Sequence, residues 1–311
     1  MSVRILQGDC REVLKTLPDE SVHCVVTSPP YYGLRDYGAY AQIGLEKTPQ
    51  QYIETMVNVF AEVRRILRPD GTLWLNLGDT YAANRGYQVA DSKHKDVGNH
   101  MPARVPIGFK PKDLMMIPAR VAIALHADGW WLRQDIIWNK RNAMPESITD
   151  RCTKAHEYIF LLTKSERYYF DHEAIMEPAV KAGRVVHSYN TGAKDRQDAN
   201  EVNDRRTRIG LANWNTEVPD KRFARSVWDI NVKGYPGAHF ATFPTGVPER
   251  CIRAGCPVGG TVLDLFAGAG TTGLVADRLQ RDAILIELNG DYVGILRRRL
   301  GDDAPLFTEV V

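Results

Sequence analysis

The sequence predicts an α/β fold on a mostly parallel sheet whose strands are circularly permuted along the chain. Three observations carry this. Short apolar runs rich in β-branched residues alternate with helical patterns near both ends of the 311-residue chain. A glycine-rich turn, Gly268-Ala269-Gly270-Thr271-Thr272-Gly273, lies between a strand-like run and a helix-like one. Only 24 residues follow the next strand, which ends at Glu287, so the other strands of a doubly wound sheet have to come from the N-terminus.

Taken in order, Val3 to Gln7 is a short strand ending in Gly8-Asp9, and Cys10 to Leu17 is helical. Val22 to Val26 is a buried strand that breaks into Thr27-Ser28-Pro29-Pro30-Tyr31, and Gly33 to Tyr40 is a loop. Tyr52, Ile53, Met56, Val57, Phe60, Val63 and Leu67 share one helical face. Arg68-Pro69-Asp70-Gly71 then turns the chain into a strand over Thr72 to Leu77. Strand, helix, strand in short order implies right-handed parallel crossovers.

Gly78 to Lys112 is a long, mildly basic loop, the kind that is usually functional or disordered. Leu114 to Ala127 is helical in pattern, and strands follow at Trp131 to Trp138 and Tyr158 to Thr163. From Tyr168 to Ala238 the alternation fails, and Arg205, Arg206, Arg208, Lys221, Arg222 and Arg225 outnumber nearby acids. This is a candidate insert, or equally a solvated excursion. Regular structure resumes with a helix at Val247 to Ala254, a strand at Thr261 to Phe266, a helix at Thr272 to Leu279, a strand at Ala283 to Glu287 and a helix at Asp291 to Leu300. Trp130, Trp131 and Trp138 are expected in the core.

Composition narrows the class. Hydrophobic content of 44% and charged content of 25% are ordinary for a globular protein. No apolar run approaches the roughly 18 residues of a membrane span. Met1-Ser2-Val3-Arg4 runs straight into a strand, unlike a secretory leader. Five cysteines (Cys10, Cys24, Cys152, Cys251, Cys256) lack paired metal spacing, so they read as reduced thiols in a cytoplasmic protein with no metal site. A net charge of +2 neither demands nor excludes nucleic acid.

Two constellations carry chemistry. In Ser28-Pro29-Pro30-Tyr31 the prolines stop strand pairing and remove two N–H donors, while Ser28 adds a hydroxyl and Tyr31 a flat face. Such a turn suits a planar base bearing an exocyclic amine; alone, it also fits a proline-terminated strand. In the glycine turn, a ligand can approach the backbone at a helix N-terminus, and Glu287 closes the next strand where a carboxylate can hold ribose hydroxyls. The spacing Gly268-x-Gly270-x-x-Gly273 also fits a nicotinamide or flavin fingerprint. If the chain is permuted, Val3 to Asp9 is the third strand and Val22 to Ser28 the fourth. Asp9, Ser28, Gly268 and Glu287 then meet at the carboxyl ends of neighbouring strands.

Asp264-Leu265-Phe266-Ala267-Gly268-Ala269-Gly270, Glu287 and Thr-Ser-Pro-Pro-Tyr resemble the motifs of S-adenosylmethionine-dependent DNA amino-methyltransferases, in the order of the β class. The resemblance implies a Rossmann-like methyltransferase fold, a seven-stranded sheet with one antiparallel strand (here Tyr158 to Thr163) and an inserted target-recognition region. It divides the chain into a catalytic half over 1–167, a recognition insert over 168–238 and a cofactor half over 239–311. Phe266, Gly268 and Gly270 are then expected at the methionine and ribose of the cofactor, Glu287 at the ribose and Asp9 at the adenine end. Cys10, Asp264, Ala267, Thr271 and Phe243, the last in a segment that closes over the methionine, complete the expected cofactor site. Ser28, Pro29, Pro30 and Tyr31 are expected to be catalytic. Arg205, Arg206, Arg208, Lys221, Arg222 and Arg225 are expected on DNA.

The resemblance also implies duplex DNA as partner, a place in restriction-modification at the nucleoid, and a class in which dimers are common. Adenine N6 and cytosine N4 both stay open as target. Carbon-5 methylation needs a cysteine nucleophile, usually after a proline, and none of the five follows one. Tyr32 and Tyr37 either line the base pocket or pack the loop. Competing readings are a methyltransferase acting on RNA or protein, a nicotinamide oxidoreductase, and a non-catalytic DNA-binding module.

Overall fold

The computed structural model describes residues 1–35, 37–38, 42–82, 105–180, 182–183, 185–187, 215–217, 219–232, 244–303 and 309–310. Two compact units result: Met1–Asp171 with Arg225–Val311, and His172–Ala224.

The larger unit is organised by one sheet. Its strands are β1 (Ser2–Gln7), β2 (Val22–Thr27), β3 (Leu67–Leu77), β4 (Trp131–Asn139) and β5 (His156–Thr163), then β10 (Val227–Asp229), β11 (Thr261–Asp264), β12 (Asp282–Glu287) and β13 (Glu309–Val310). They lie in the order β10-β4-β5-β3-β2-β11-β12-β1-β13. All neighbours are parallel except β5, which runs against β3 and β4. The expected seven strands with one reversed form the middle of this sheet, and the short β10 and β13 extend its edges. The permutation is realised: reading outward from β11, the chain passes to β12 and β1 on one side and to β2 and β3 on the other.

Burial explains the strand sequences. Val22, Cys24, Val25, Val26 and Thr27 of β2 are all buried, as are Gly71 to Leu77 of β3, the near-continuous pattern of strands covered on both faces. The helix Pro49–Ile66 starts in a capping box between Thr48 and Gln51, with proline in its first turn. Tyr52, Met56, Phe60 and Val63 from its apolar face join Leu73, Leu75, Val121, Leu125 and Leu162 in one core cluster.

Three local expectations change. Arg68-Pro69-Asp70-Gly71 belongs to β3 and does not form a separate turn. The partner register jumps from Val22↔Leu67 to Cys24↔Thr72, so the extra residues are absorbed as an irregularity where proline is tolerated. The helix expected from Leu114 begins at Ile117, because Leu114 bridges to Tyr81 and Met116 has φ 54°. Trp130 and Trp138 are buried, but Trp131, the first residue of β4 and set off from the rest of it by a register irregularity between Leu132 and Gln134, is 46% exposed. No helix among the described residues is long and apolar enough to cross a membrane.

The smaller unit holds two antiparallel pairs, β6 (Glu177–Pro178) with β9 (Lys221–Arg222), and β7 (Val185–His187) with β8 (Asn215–Glu217). Arg222 pairs with Glu177 at 3.6 Å, and the ring of Phe223 lies 5.1 Å from that of His172.

Two glycines make the packing testable. A Cβ at Gly255 would overlap Thr72 Oγ1 and Trp74 Nε1, whereas one at Gly294, in the helix Gly290–Asp303, meets nothing within 4 Å. Gly255→Ala should therefore cost about 1–3 kcal/mol in urea unfolding. Gly294→Ala should raise stability by up to about 1 kcal/mol.

Candidate active site

The glycine turn is shaped for a ligand. Gly268 and Gly270 have φ of 51° and 75°, the left-handed region open to glycine at little strain. A Cβ at Gly268 would meet nothing within 4 Å, so that side of the turn is open, whereas one at Gly270 would come 2.8 Å from Leu296 Cγ. Arg299 holds the back of the turn by donating to the Ala269 carbonyl at 2.9 Å and to Thr271 Oγ1 at 3.0 Å. The helix Thr271–Arg278 then presents its N-terminus without a side-chain cap.

Glu287 faces this turn from the end of β12. Its Oε2 accepts from the Gly268 amide at 2.7 Å and its Oε1 from the Asn289 amide at 2.8 Å. A carboxylate has about four acceptor directions, so these amides leave capacity for a ligand hydroxyl. Burial pushes the Glu287 carboxyl above its ordinary range, against the pull of those amides. Its backbone carbonyl also takes the Gly8 amide at 2.9 Å, which draws in the end of β1. Next to Gly8, Asp9 caps the helix Cys10–Val13 and accepts from Arg11 Nε at 2.9 Å. Burial opposes ionisation of Asp9, but the hydrogen bonds from Arg11 outweigh it and hold the carboxyl below its usual value.

Asp264 joins this region to the proline turn. It is 1% exposed, and its Oδ1 accepts from Thr27 Oγ1 at 2.7 Å and from the Phe266 amide at 3.1 Å. Its Oδ2 accepts from Thr272 Oγ1 at 2.6 Å. Thr27 immediately precedes Ser28, so one carboxylate ties the proline turn to both ends of the glycine turn. Strands β2 and β11 are neighbours here, at the point where the sheet order reverses, and open α/β sheets bind ligands at that crevice.

The proline turn itself is cross-braced. Tyr52 donates to the Pro30 carbonyl at 2.9 Å. Tyr31 donates its hydroxyl to Glu157 Oε2 at 2.6 Å. Asn76 Nδ2 reaches Ser28 Oγ at 3.1 Å, Tyr31 Oη at 2.9 Å and Glu157 Oε2 at 3.0 Å. Lys140 pairs with Glu157 Oε1. A Cβ at Gly78 would overlap the Tyr31 ring, so the glycine after β3 makes room for the aromatic face. Burial, then the nearby Glu157 charge, keeps the Tyr31 phenol far above its ordinary pKa and therefore protonated.

The structure thus brings together Asp9, Ser28, Gly268, Gly270 and Glu287 along one sheet edge. Other expected residues sit deeper. Cys10 is 5% exposed, with its thiol pushed up to about 12 by burial, and Asp264, Ala267 and Thr271 are buried as well. Phe266 is half-buried against the core. Phe243, Arg205, Arg206 and Arg208 lie outside the described residues. Lys221 and Arg225 are exposed, and Arg222 pairs with Glu177. Tyr32 packs in the core 5.6 Å from the Tyr52 ring. Tyr37 lies within electrostatic reach of both Glu287 and Tyr31, and burial and the Glu287 charge raise its phenol.

Sequence reasoning missed Asn76, Gly78, Lys140 and Glu157. Asn76 had a local signal, a polar residue within an apolar strand. Lys140 and Glu157 had none.

A protein-family model described as DNA methylase matches residues 22–298. The chain is 44% identical over 300 residues to the type II methyltransferase M.SmaI of Serratia marcescens, across 96% of this chain and 91% of that one. The chain belongs to the DNA methylase family. It is 46% identical over 297 residues to the type II methyltransferase M.XycI of Xanthomonas campestris pv. cyanopsidis, across 95% and 87% of the two chains. Among solved structures, the Thermus thermophilus protein TTHA0409, crystallised with S-adenosyl-L-methionine, aligns at a TM-score of 0.61 and 26% identity, covering 99% of each chain. Membership of this methylase family sets aside the nicotinamide reading of the glycine fingerprint.

Burial raises the Asp264 carboxyl above its unfolded value. Its linked contribution to stability is then complete below that unfolded value and is lost as pH rises through the native one. Urea unfolding of wild type and Asp264→Asn across the acid range should show the wild type losing stability relative to the variant as pH rises.

Proposed function

We infer that this methylase transfers a methyl group from S-adenosylmethionine to an exocyclic amine, N6 of adenine or N4 of cytosine, at a defined site in duplex DNA. The observation that carries this is the Thr27–Asp264 bond, which sets an acceptor-bearing proline turn beside an open glycine cradle. Bound there, the donor supplies a sulfonium-activated methyl group.

The residues support a division of labour. Glu287 has acceptor capacity for the ribose, Gly268 leaves the backbone approachable, and Asp9 lies at the end of the adjacent β1. An exocyclic amine is a poor nucleophile because its lone pair is delocalised into the ring. Ser28 Oγ and the Pro29 carbonyl accept its hydrogens and aim the pair at the methyl carbon, so catalysis rests on placement and polarisation. The target base leaves the helix, and the Tyr31 ring, held by its hydroxyl and seated over Gly78, stacks against it.

Unstacking costs a few kcal/mol, which contacts elsewhere have to offset. Exposed Lys221 and Arg225, with Arg205, Arg206 and Arg208, are the phosphate contacts we assign, and the region from 168 to 238 is the target-recognition segment. Carbon-5 chemistry has no nucleophile in this site, since Cys10, the thiol next to Asp9, stays protonated in the core.

Incubating plasmid DNA with tritiated S-adenosylmethionine and digesting to nucleosides tests the reading. N6-methyladenine or N4-methylcytosine is expected, whereas 5-methylcytosine, or label found solely in RNA or protein, would overturn it. Ser28→Ala should slow transfer by roughly 10²-fold, with cofactor affinity unchanged in calorimetry. Glu287→Ala should instead weaken cofactor binding, by about 1.5–3 kcal/mol.

A further inference from the structure

Methylating an amine leaves a proton to remove. The nitrogen pair forms the bond to the methyl carbon, the carbon–sulfur pair goes to sulfur, and the nitrogen is left cationic with both its hydrogens. One hydrogen has to leave as a proton to give the neutral product. A serine hydroxyl and a proline carbonyl orient that nitrogen, but both are too weakly basic to keep the proton.

Glu157 stands at the same edge. It lies near the start of β5, the one strand of the central seven that runs backwards, so it meets the ends of β2 and β3. Its side chain is 14% exposed. Its Oε2 takes the Tyr31 hydroxyl hydrogen, and the Tyr31 oxygen lies 3.4 Å from Ser28 Oγ. That second distance is long for a settled bond, and catalytic hydrogen bonds commonly tighten only when substrate binds. Because Tyr31's own hydrogen points to Glu157, its oxygen can only accept from Ser28. The chain of hydroxyls therefore has one direction, from Ser28 through Tyr31 to Glu157. Asn76 Nδ2 reaches all three oxygens and fixes their spacing. Lys140 occupies the other oxygen of Glu157, which leaves Oε2 to Tyr31 and Asn76.

We propose that Glu157 is the terminal acceptor of the proton released on amine methylation, reached from Ser28 through the Tyr31 hydroxyl. The step rests on the methyltransferase reading above. The cationic nitrogen gives a proton to Ser28 Oγ, Ser28 gives its own hydrogen to Tyr31 Oη, and Tyr31 gives its hydrogen to Glu157 Oε2. The product amine is then neutral, Glu157 is a neutral acid, and both hydroxyls are restored with exchanged hydrogens. Glu157 acts through Tyr31 and Ser28, so it is a positioning and proton-accepting residue that does not touch the base.

Single-turnover transfer from tritiated S-adenosylmethionine to DNA tests this with Glu157→Gln, Tyr31→Phe and the double variant. Glutamine keeps an oxygen for the Tyr31 bond but has no basicity, and phenylalanine keeps the stacking ring but breaks the chain. Each single variant should lower the rate at saturating reactants by roughly 10²-fold, with cofactor and DNA affinities unchanged. The double variant should be no slower than the slower single one, because both interrupt one path. The wild-type rate should curve with the deuterium fraction of the solvent, as several moving protons require, and straighten in Tyr31→Phe.

A near-wild-type rate in either single variant overturns the relay, as do multiplicative losses in the double variant. Should Glu157→Gln fail to fold, Tyr31→Phe and its isotope profile still decide the matter. Wild-type protein that binds the donor yet methylates no DNA would overturn the underlying methyltransferase reading, and the relay with it.

Discussion

A buried carboxylate holds this molecule's two chemistries in register. Asp264 and Thr27 are 237 residues apart in the chain, yet their side chains meet at 2.7 Å at the switch point of the sheet. Burying a carboxylate is costly unless its oxygens are satisfied. Here Thr27, Thr272 and the Phe266 amide satisfy them. Those donors are the residue before the proline turn, one residue just ahead of the glycine turn and one within it. Backbone pairing of β2 with β11 brings the two segments alongside, and the carboxylate sets their fine spacing. In a permuted chain nothing covalent links them locally.

On either side of that junction the fold solves two different problems. Toward β12 and β1, backbone amides and one acidic side chain form a cradle with an open flank at Gly268. Toward β3 and β5, four polar side chains from four strand ends lock an aromatic ring in place. Rigid strand ends suit this work, because small errors in placement cost much in rate. The network has one unmet need: Asn76 Oδ1 is buried with no partner among the described residues. Unsatisfied buried acceptors are rare in native proteins and concentrate where function competes with stability.

Local patterns foretold most elements of the larger unit, because periodicity and turn residues are local properties. The helix Pro49–Ile66 was marked by its apolar stripe, and β11, β12 and the helix between them by the glycine turn. The errors also have physical causes. Pro69 and Gly71 look like a turn, but a register irregularity in a buried strand absorbed them. Trp131 looks like core by type, yet it lies at the outer end of β4, beyond a register irregularity, and is exposed.

The sequence by itself determined the class of fold, the permuted strand order and the two motifs, because each is written in contiguous residues whose types have few alternative uses. What it could not determine was which side chains complete the proline turn. Asn76, Lys140 and Glu157 come from the ends of three separate strands, and one of those runs backwards. Their meeting with Ser28 and Tyr31 depends on strand register and sheet order. Those are settled by packing across the whole sheet and leave no trace in any single stretch of chain.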